Sequence, residues 1–559
     1  MLPRDRKGGS QARPYRFLLL IPLVFLALFF FYPLLTIFSI SLAPEGQLDL
    51  SAFATVITSY YYRDTLGFTI VQAVLSTVLT LGLALPGAYI FARYDFPGKV
   101  LLSSLSTLAF VLPTVVVAAA FSALIGPRGV INDALTAVFD LQSPPIQLER
   151  TLAIILIVHV FYNYAVALRI IGGFWATQSP RMEEAARVLG AHGWRLWWHI
   201  RLPILRPAIL AAAVLVFIFT FTSFGVILIL GGPRFATLEV EIFRQATSLF
   251  NLPVAAALSL VQIILMFALM LVYTRLQRQP ATELQGRVAR RPRNMREWMM
   301  VIANVILMVI LLFAPLLALV LRSFMSEDGL TTQFYRLLST NPRGSVLFVP
   351  PIQAITNSFL FALVTTLIAV LLGSMAAYLL ARRESRFARW LDPVFMLPLA
   401  TSAVTLGFGY IITLDEPPLN LRASPLLIPI AHTLVAMPFV VRSVLPALRA
   451  IAPGIQESAS VLGASSWQVW RLIDLPLISR GLIVGATFAF TVSMGEFGAS
   501  SFIARPDTPT MPLVIYRLLG QPGATNYGQA MAMSVLLMAV CAVSFILIER
   551  LRSAGIGEF

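Results

Sequence analysis

Two stretches of this chain carry the same residue types at the same spacing, and they are the residues best suited to chemistry. The first comprises Glu184-Ala185-Ala186, Gly190, Trp194, Ile200 and Leu202-Pro203. The second comprises Glu457-Ser458-Ala459, Gly463, Trp467, Ile473 and Leu475-Pro476, 273 residues downstream at every matched position. Neither holds a nucleophile beside a base, so the chemistry on offer is recognition. A Glu and small residues on a short helix leave one face open to close approach. The glycine permits a turn with unusual backbone angles. The Trp is an anchor of the kind that dominates interface energies, and proline is well tolerated where a following helix starts. The expected product is a helix–turn–helix ledge over 181–204, repeated over 454–477, on which a partner can dock.

Other chemistry-bearing residues are few. The four histidines include His159 and His432, again 273 apart. They suggest either ligands paired across a symmetry axis or, more simply, buried imidazoles bonded to backbone carbonyls. Glu496 falls within an apolar run, and its repeat-mate is Ser223. A carboxylate in the bilayer costs about 3 kcal/mol, so it faces a cavity or a partner; lining a pathway and pairing with a neighbouring helix both remain open. Phe224 and Phe497, beside these two, are bulky enough to plug such a path. Loops show no paired carboxylates, HExxH, GxSxG or His cluster, and no G-x-x-x-x-G-K-[ST] is present. The chain therefore reads as non-catalytic, without a metal or cofactor of its own.

The elements that must position these residues are membrane helices. The chain is 58% hydrophobic and 12% charged, with mean hydropathy +0.83, far from a soluble globular composition. Apolar runs able to cross roughly 30 Å of hydrocarbon recur near 17–41, 67–92, 101–125, 152–174, 205–231, 253–276, 299–322, 354–381, 391–413, 425–447, 481–503 and 530–549. Pro113 and Pro398 interrupt the third and ninth. The first run is too long for a signal core and lacks a small-residue cleavage site, so it reads as an uncleaved span. Cys541 is the single cysteine, which excludes an intramolecular disulfide.

The net charge of +15 does not point to nucleic acid. Basic residues gather at span ends and in alternate loops: Arg4, Arg6, Lys7, Arg13 and Arg16 at the start, then Arg275, Arg278, Arg287, Arg290, Arg291, Arg293 and Arg296, then four more between Arg382 and Arg389. By the positive-inside rule, both termini and both ledges face the cytoplasm. Arg169 and Arg442 lie near cytoplasmic span ends and are expected to snorkel.

The repeat reaches well past the ledge. His159, Arg169, Phe224-Gly225 and Ile242-Phe243-Arg244 match His432, Arg442, Phe497-Gly498 and Ile515-Tyr516-Arg517 at one offset. Ala88-Tyr89 matches Ala377-Tyr378 at 289, and the extra length falls in the 126–150 loop. The fold expected is thus an all-α polytopic membrane protein with about twelve transmembrane helices in two parallel six-helix repeats. Residues 1–276 form the first repeat, 277–298 an Arg-rich cytoplasmic linker, and 299–559 the second.

The E-A-A-x3-G-x9-I-x-L-P pattern resembles the signature of permease subunits in type I binding-protein-dependent ABC importers, with Ser458 the one departure. The resemblance implies that each ledge is a coupling helix seated on one of two copies of an ABC ATPase, with the contact carried by Glu184 to Leu196 and Glu457 to Val469. It implies ATP and magnesium on those partners, a periplasmic or lipid-anchored solute-binding protein, and the bacterial cytoplasmic (inner) membrane. Phe96-Pro97-Gly98-Lys99, His159-Val160-Phe161-Tyr162-Asn163, Ser223-Phe224-Gly225 and Gly495-Glu496-Phe497-Gly498 resemble the fused thiamine and ferric-iron branch, without separating the two solutes. The competing reading is an ion-gradient-driven secondary transporter of twelve spans, which needs no duplicated ledge.

Overall fold

The computed structural model describes residues 20–553 apart from 45, 180, 278–288, 327–328, 341–346, 348, 382–385, 416 and 418. The basic N-terminal cluster, the first half of the linker and both Arg382 and Arg383 lie outside the described residues. Among the described residues eleven helices are long and apolar enough to cross a membrane, or twelve if the bent pair Leu391–Leu399 and Ala403–Thr413 forms one span. The chain is an all-α, multi-pass membrane protein.

Each half is built on the same three packed helices. In the first, Tyr60–Arg93, Leu152–Thr177 and Leu202–Phe221 pack on one another; in the second, Pro351–Ala381, Leu427–Ala450 and Leu475–Gly495 do so. Small residues set these contacts. Gly373 and Gly485 both lie against Val440, where an added Cβ would come within 2.8 and 3.1 Å of it. Membrane helices gain little from burying apolar surface against one another, so close backbone approach supplies the packing instead.

The first helix of each half crosses to the other. Tyr32–Leu42 packs on Ala403–Thr413, with Pro33 and Ile37 against Gly409. Leu26 and Phe30 belong to the second half's buried cluster. Reciprocally, Ala314–Ser323 packs on Thr114–Ile125, and Asn304 donates to the Tyr164 hydroxyl at 3.4 Å. The halves are therefore interlocked and not merely side by side. The described end of the linker is also pinned: Asp95 N–H donates to the Arg290 carbonyl at 2.9 Å, and Arg290 N–H to the Arg93 carbonyl at 3.1 Å.

Four spans differ from their sequence expectation, for one shared reason. The expected spans 205–231 and 481–503 stop at Phe221 and Gly495, and short helices Gly225–Leu230 and Ser500–Ile503 follow after a break. The expected span 101–125 is two helices, Lys99–Val111 and Thr114–Ile125, broken at Leu112-Pro113. The ninth is bent by 93°. Its break falls at Thr401-Ser402, with Ser402 as N-cap, so Pro398 lies inside the preceding helix and only Pro113 marks a break. Irregular backbone is tolerated at membrane depth where protein or a cavity surrounds it, and all four breaks meet at one place.

Candidate functional site: two ledges and a central cavity

The first ledge is the helix Arg181–Val188, a turn, and the helix Gly193–Leu196. In the turn Ala191 N–H donates to the Ala186 carbonyl (2.9 Å) and Gly190 N–H to the Arg187 carbonyl (3.0 Å). The second ledge repeats both bonds, Ala464 to Ala459 (3.0 Å) and Gly463 to Ser460 (3.1 Å). This is a Schellman closure, which needs a left-handed residue. Gly190 and Gly463 supply it at φ +86° and +89°.

Helix does not restart at the prolines, contrary to expectation. Gly193–Phe221 and Ser466–Gly495 each run without a break from ledge to mid-membrane. Pro203 and Pro476 sit inside them, two residues after the π-helical turns Trp197–Arg201 and Trp470–Asp474. A wider turn accommodates the hydrogen bond that proline cannot donate. Ala27–Phe31, before Pro33, uses the same device. Each ledge is thus one piece with a spanning helix.

Its outer face is apolar and bare. Val188 and Leu189 are 88% and 86% exposed, and their repeat-mates Val461 and Leu462 are 86% and 87% exposed. Trp194 and Trp467 are exposed beside them, as are Glu184, Ala185, Glu457, Ser458, Pro203 and Pro476. Ala186 is buried and Ala459 half-buried. Leu196 and Val469, expected at the end of the contact stretch, point inward and are buried.

A latch that sequence reasoning missed closes the base of each ledge. Glu183 is buried and pairs with Arg201 (3.2 Å), Arg93 (3.9 Å) and Arg187 (3.9 Å). Arg93 and Arg201 also lie over the Tyr89 ring. In the second half the matching residues are Gln456, Asp474 and Tyr378. There Gln456 donates to Asp474 at 2.7 Å and Tyr378 donates to it at 3.4 Å. The latch position is kept while the acid moves from the ledge helix to the π-helical turn and its basic partners give way to neutral donors, so residue identity at the fixed offset does not reveal it. Glu183→Gln leaves nearly buried guanidinium groups without their carboxylate, at a cost of about 3 kcal/mol. The thermal midpoint of the purified protein is expected to fall, and an unchanged midpoint would show that the latch is solvated.

The four helix breaks converge between the halves on a cavity of about 380 Å³. Ser223, Phe224, Phe497, His159, Asn163, Thr114 and Ser402 are among the residues that border it. Phe224 and Phe497, which are repeat-mates, stack across the junction at 5.4 Å. Phe243 packs on Phe224 and Tyr516, its repeat-mate, on Phe497, each at 5.4 Å. The approximate symmetry axis thus passes between the two stacked rings. Glycines allow the breaks to close up: a Cβ on Gly225 would lie 2.3 Å from Thr114 Oγ1, and one on Gly498 3.0 Å from Ala403.

His159 and His432 are held by hydroxyls, not by the expected carbonyls. The His159 ring nitrogens lie 2.9 Å from Ser76 and Ser223, and those of His432 lie 2.8 Å from Ser493 and Ser500. Glu496 is turned away from the cavity that its neighbours Gly495, Phe497 and Gly498 border. Its carboxylate accepts from Ala499 N–H (2.7 Å), Ser500 N–H (3.0 Å) and Ser500 Oγ (2.8 Å), and lies 3.2 Å from His432 Nε2. It caps the short helix after the break, so the geometry matches the pairing alternative. Arg442 reaches Asp392 at 3.5 Å.

The acid in the cavity wall is Glu239, which lies between the expected spans 205–231 and 253–276, where hydropathy gives no signal. It begins the helix Leu238–Thr247 and is fully buried. Ser402 Oγ donates to it at 2.6 Å, and Gln262 donates to its other oxygen. The available signal was a carboxylate in the matched block whose repeat-mate is Pro512.

Residues 84–281 and 369–554 each match the family described as binding-protein-dependent transport system inner membrane component. The chain is 27% identical to the thiamine transport system permease protein ThiP of Salmonella typhimurium, covering 91% of this chain and 92% of that one. It is 28% identical to ThiP of Brucella abortus (strain 2308), covering 86% of each. It is 26% identical to ThiP of Haemophilus influenzae, covering 99% and 97%. With both halves matched and the repeat continuous across them, the chain belongs to the inner-membrane permease components of binding-protein-dependent ABC importers, in the fused two-half form.

Proposed function

We propose that this permease imports thiamine, delivered by a periplasmic or lipid-anchored binding protein, and that two copies of an ABC ATPase dock on its two ledges. The observation that carries the docking is the pair of bare Val–Leu knobs, Val188-Leu189 and Val461-Leu462, held at matched positions by matched turns. Exposed apolar side chains beside exposed Trp residues are the makings of an interface core. The proposed contact set is Glu184, Ala185, Ala186, Gly190, Trp194 and Pro203, with Glu457, Ser458, Ala459, Gly463, Trp467 and Pro476. ATP and magnesium are held by the partners, and this chain performs no catalysis. The ledges and both termini lie on the cytoplasmic side of the bacterial inner membrane. The unit boundaries 1–276, 277–298 and 299–559 follow the same reading.

The mechanism is alternating access. Closure of the two ATPases moves the ledges, and each ledge is continuous with a helix that ends at the central cavity. A tilt therefore displaces the stacked Phe224 and Phe497 without an intervening joint. Hydrolysis resets the pair and releases solute inward. The names of the relatives favour thiamine over ferric iron as the solute. Mass spectrometry of the complex, purified through a tag on this chain, tests the assembly. Two ATPase copies and a solute-binding protein carrying thiamine are expected. A chain that purifies alone, and transports without ATP after reconstitution, would establish the secondary carrier instead.

A further inference from the structure

Of the four buried glutamates among the described residues, Glu183 has three arginines, Glu241 has Arg244 at 3.2 Å and Glu496 has His432 at 3.2 Å. Glu239 has only the neutral Ser402 and Gln262. Two neutral donors offset little of the cost of a fully desolvated carboxylate, yet the chain places this one in the wall of its central cavity. A second residue with an unused acceptor, Asn163, borders the same space. Asn163 spends its amide N–H on the His159 carbonyl at 2.8 Å, and its Oδ1 is buried with no partner. Five aromatic rings, of Phe110, Tyr162, Phe219, Phe224 and Phe497, border the same space beside hydroxyl-bearing and small residues, and no Lys or Arg borders the cavity among the described residues. A carboxylate and an unpaired amide oxygen with no basic side chain beside them, bordered by aromatic rings, suit a cation that brings its own N–H groups.

We propose that this cavity is a selective transit site for small aromatic organic cations bearing N–H donors, with Glu239 receiving the positive charge and Asn163 Oδ1 receiving a donor. Ser402 covers the carboxylate in the present state, and its hydroxyl turns aside when the cation arrives. The inference rests on the cavity being the solute's path. It makes the permease itself a filter, beyond whatever selection the binding protein applies.

The test uses this chain assembled with its ATPase subunits in nanodiscs, without binding protein, in nucleotide-free and ATP-bound states. Equilibrium dialysis measures thiamine, the simpler aromatic cation 4-amino-N-methylpyridinium, whose amino group supplies N–H donors, and thiochrome as a neutral aromatic control. Thiamine is expected to bind at least tenfold more tightly than thiochrome, and Glu239→Gln to abolish that preference. Ser402→Ala keeps the carboxylate and removes one donor, so its thiamine affinity is expected within threefold of wild type or tighter. Wild-type affinity and preference in Glu239→Gln, an equal loss in Ser402→Ala, or no cation binding by the wild type would each overturn the proposal. Glu239-dependent binding of 4-amino-N-methylpyridinium but not thiamine would uphold the cation site and remove thiamine as the solute. ATP-driven thiamine uptake at the wild-type rate in Glu239→Gln would do the reverse.

Discussion

A permease carrying Leu189→Asp and Leu462→Asp together is expected to reach the membrane in normal amount yet lose its ATPase subunits and all ATP-driven uptake. Both leucines stand almost fully in solvent, at 86% and 87% exposed, so removing them leaves this chain's own packing intact. Burying a leucine against a partner contributes about 1.5–3 kcal/mol, and an unpaired aspartate at the same place adds several kcal/mol of desolvation cost. Each docking site is thus weakened by at least 100-fold. One ledge alone should leave partial retention, because two linked contacts support each other through effective concentration. The measurement is the ATPase-to-permease ratio after purification, with uptake in membrane vesicles alongside. Full retention in the double variant would mean that the knobs are not the interface.

The second large effect concerns the barrier. Phe224→Ala with Phe497→Ala removes the stacked rings at the symmetry axis, where they are 7% and 3% exposed. Truncating a buried phenylalanine costs about 3–5 kcal/mol because a cavity remains. Here the new space joins one that already holds about 380 Å³. Efflux of preloaded solute from proteoliposomes, without ATP, is expected to rise at least tenfold. Phe224→Leu with Phe497→Leu retains most of the volume and should leak far less. Leakage at the wild-type level in the alanine pair would place the barrier elsewhere, for example at the helix breaks themselves.

A smaller effect isolates the turn. At Gly190 an added Cβ meets nothing within 4 Å, so Gly190→Ala carries no clash. It carries only the strain of a left-handed alanine, about 1 kcal/mol. Gly225→Ala is different, because its Cβ would stand 2.3 Å from Thr114 Oγ1. Comparison of the two thermal midpoints separates backbone strain from steric exclusion, with Gly225→Ala expected to fall further.

The sequence by itself determined the all-α membrane class, the duplication and the positions of both ledges. Hydrophobic length and exact spacing are local, one-dimensional properties, and the Glu184–Pro203 and Glu457–Pro476 motifs carry them directly. Identity at a fixed offset also located Phe224 and Phe497, since each is flanked by a matched glycine. Tertiary structure alone decided which acid faces the cavity. Glu496 stands alone in an apolar run, and Glu239 shares a short segment with Glu241 and Arg244. Only the fold turns the first onto Ala499, Ser500 and His432 and the second into the cavity wall. It alone showed that the latch persists while Glu183 becomes Gln456 and Arg201 becomes Asp474, because hydrogen-bonding complementarity is a property of pairs in contact. The exchange of first helices between halves, with Pro33 against Gly409, was likewise beyond the sequence. Hydropathy reports that a helix lies in the membrane and not which neighbour it meets, and that choice is made by shape and close approach across residues far apart in the chain.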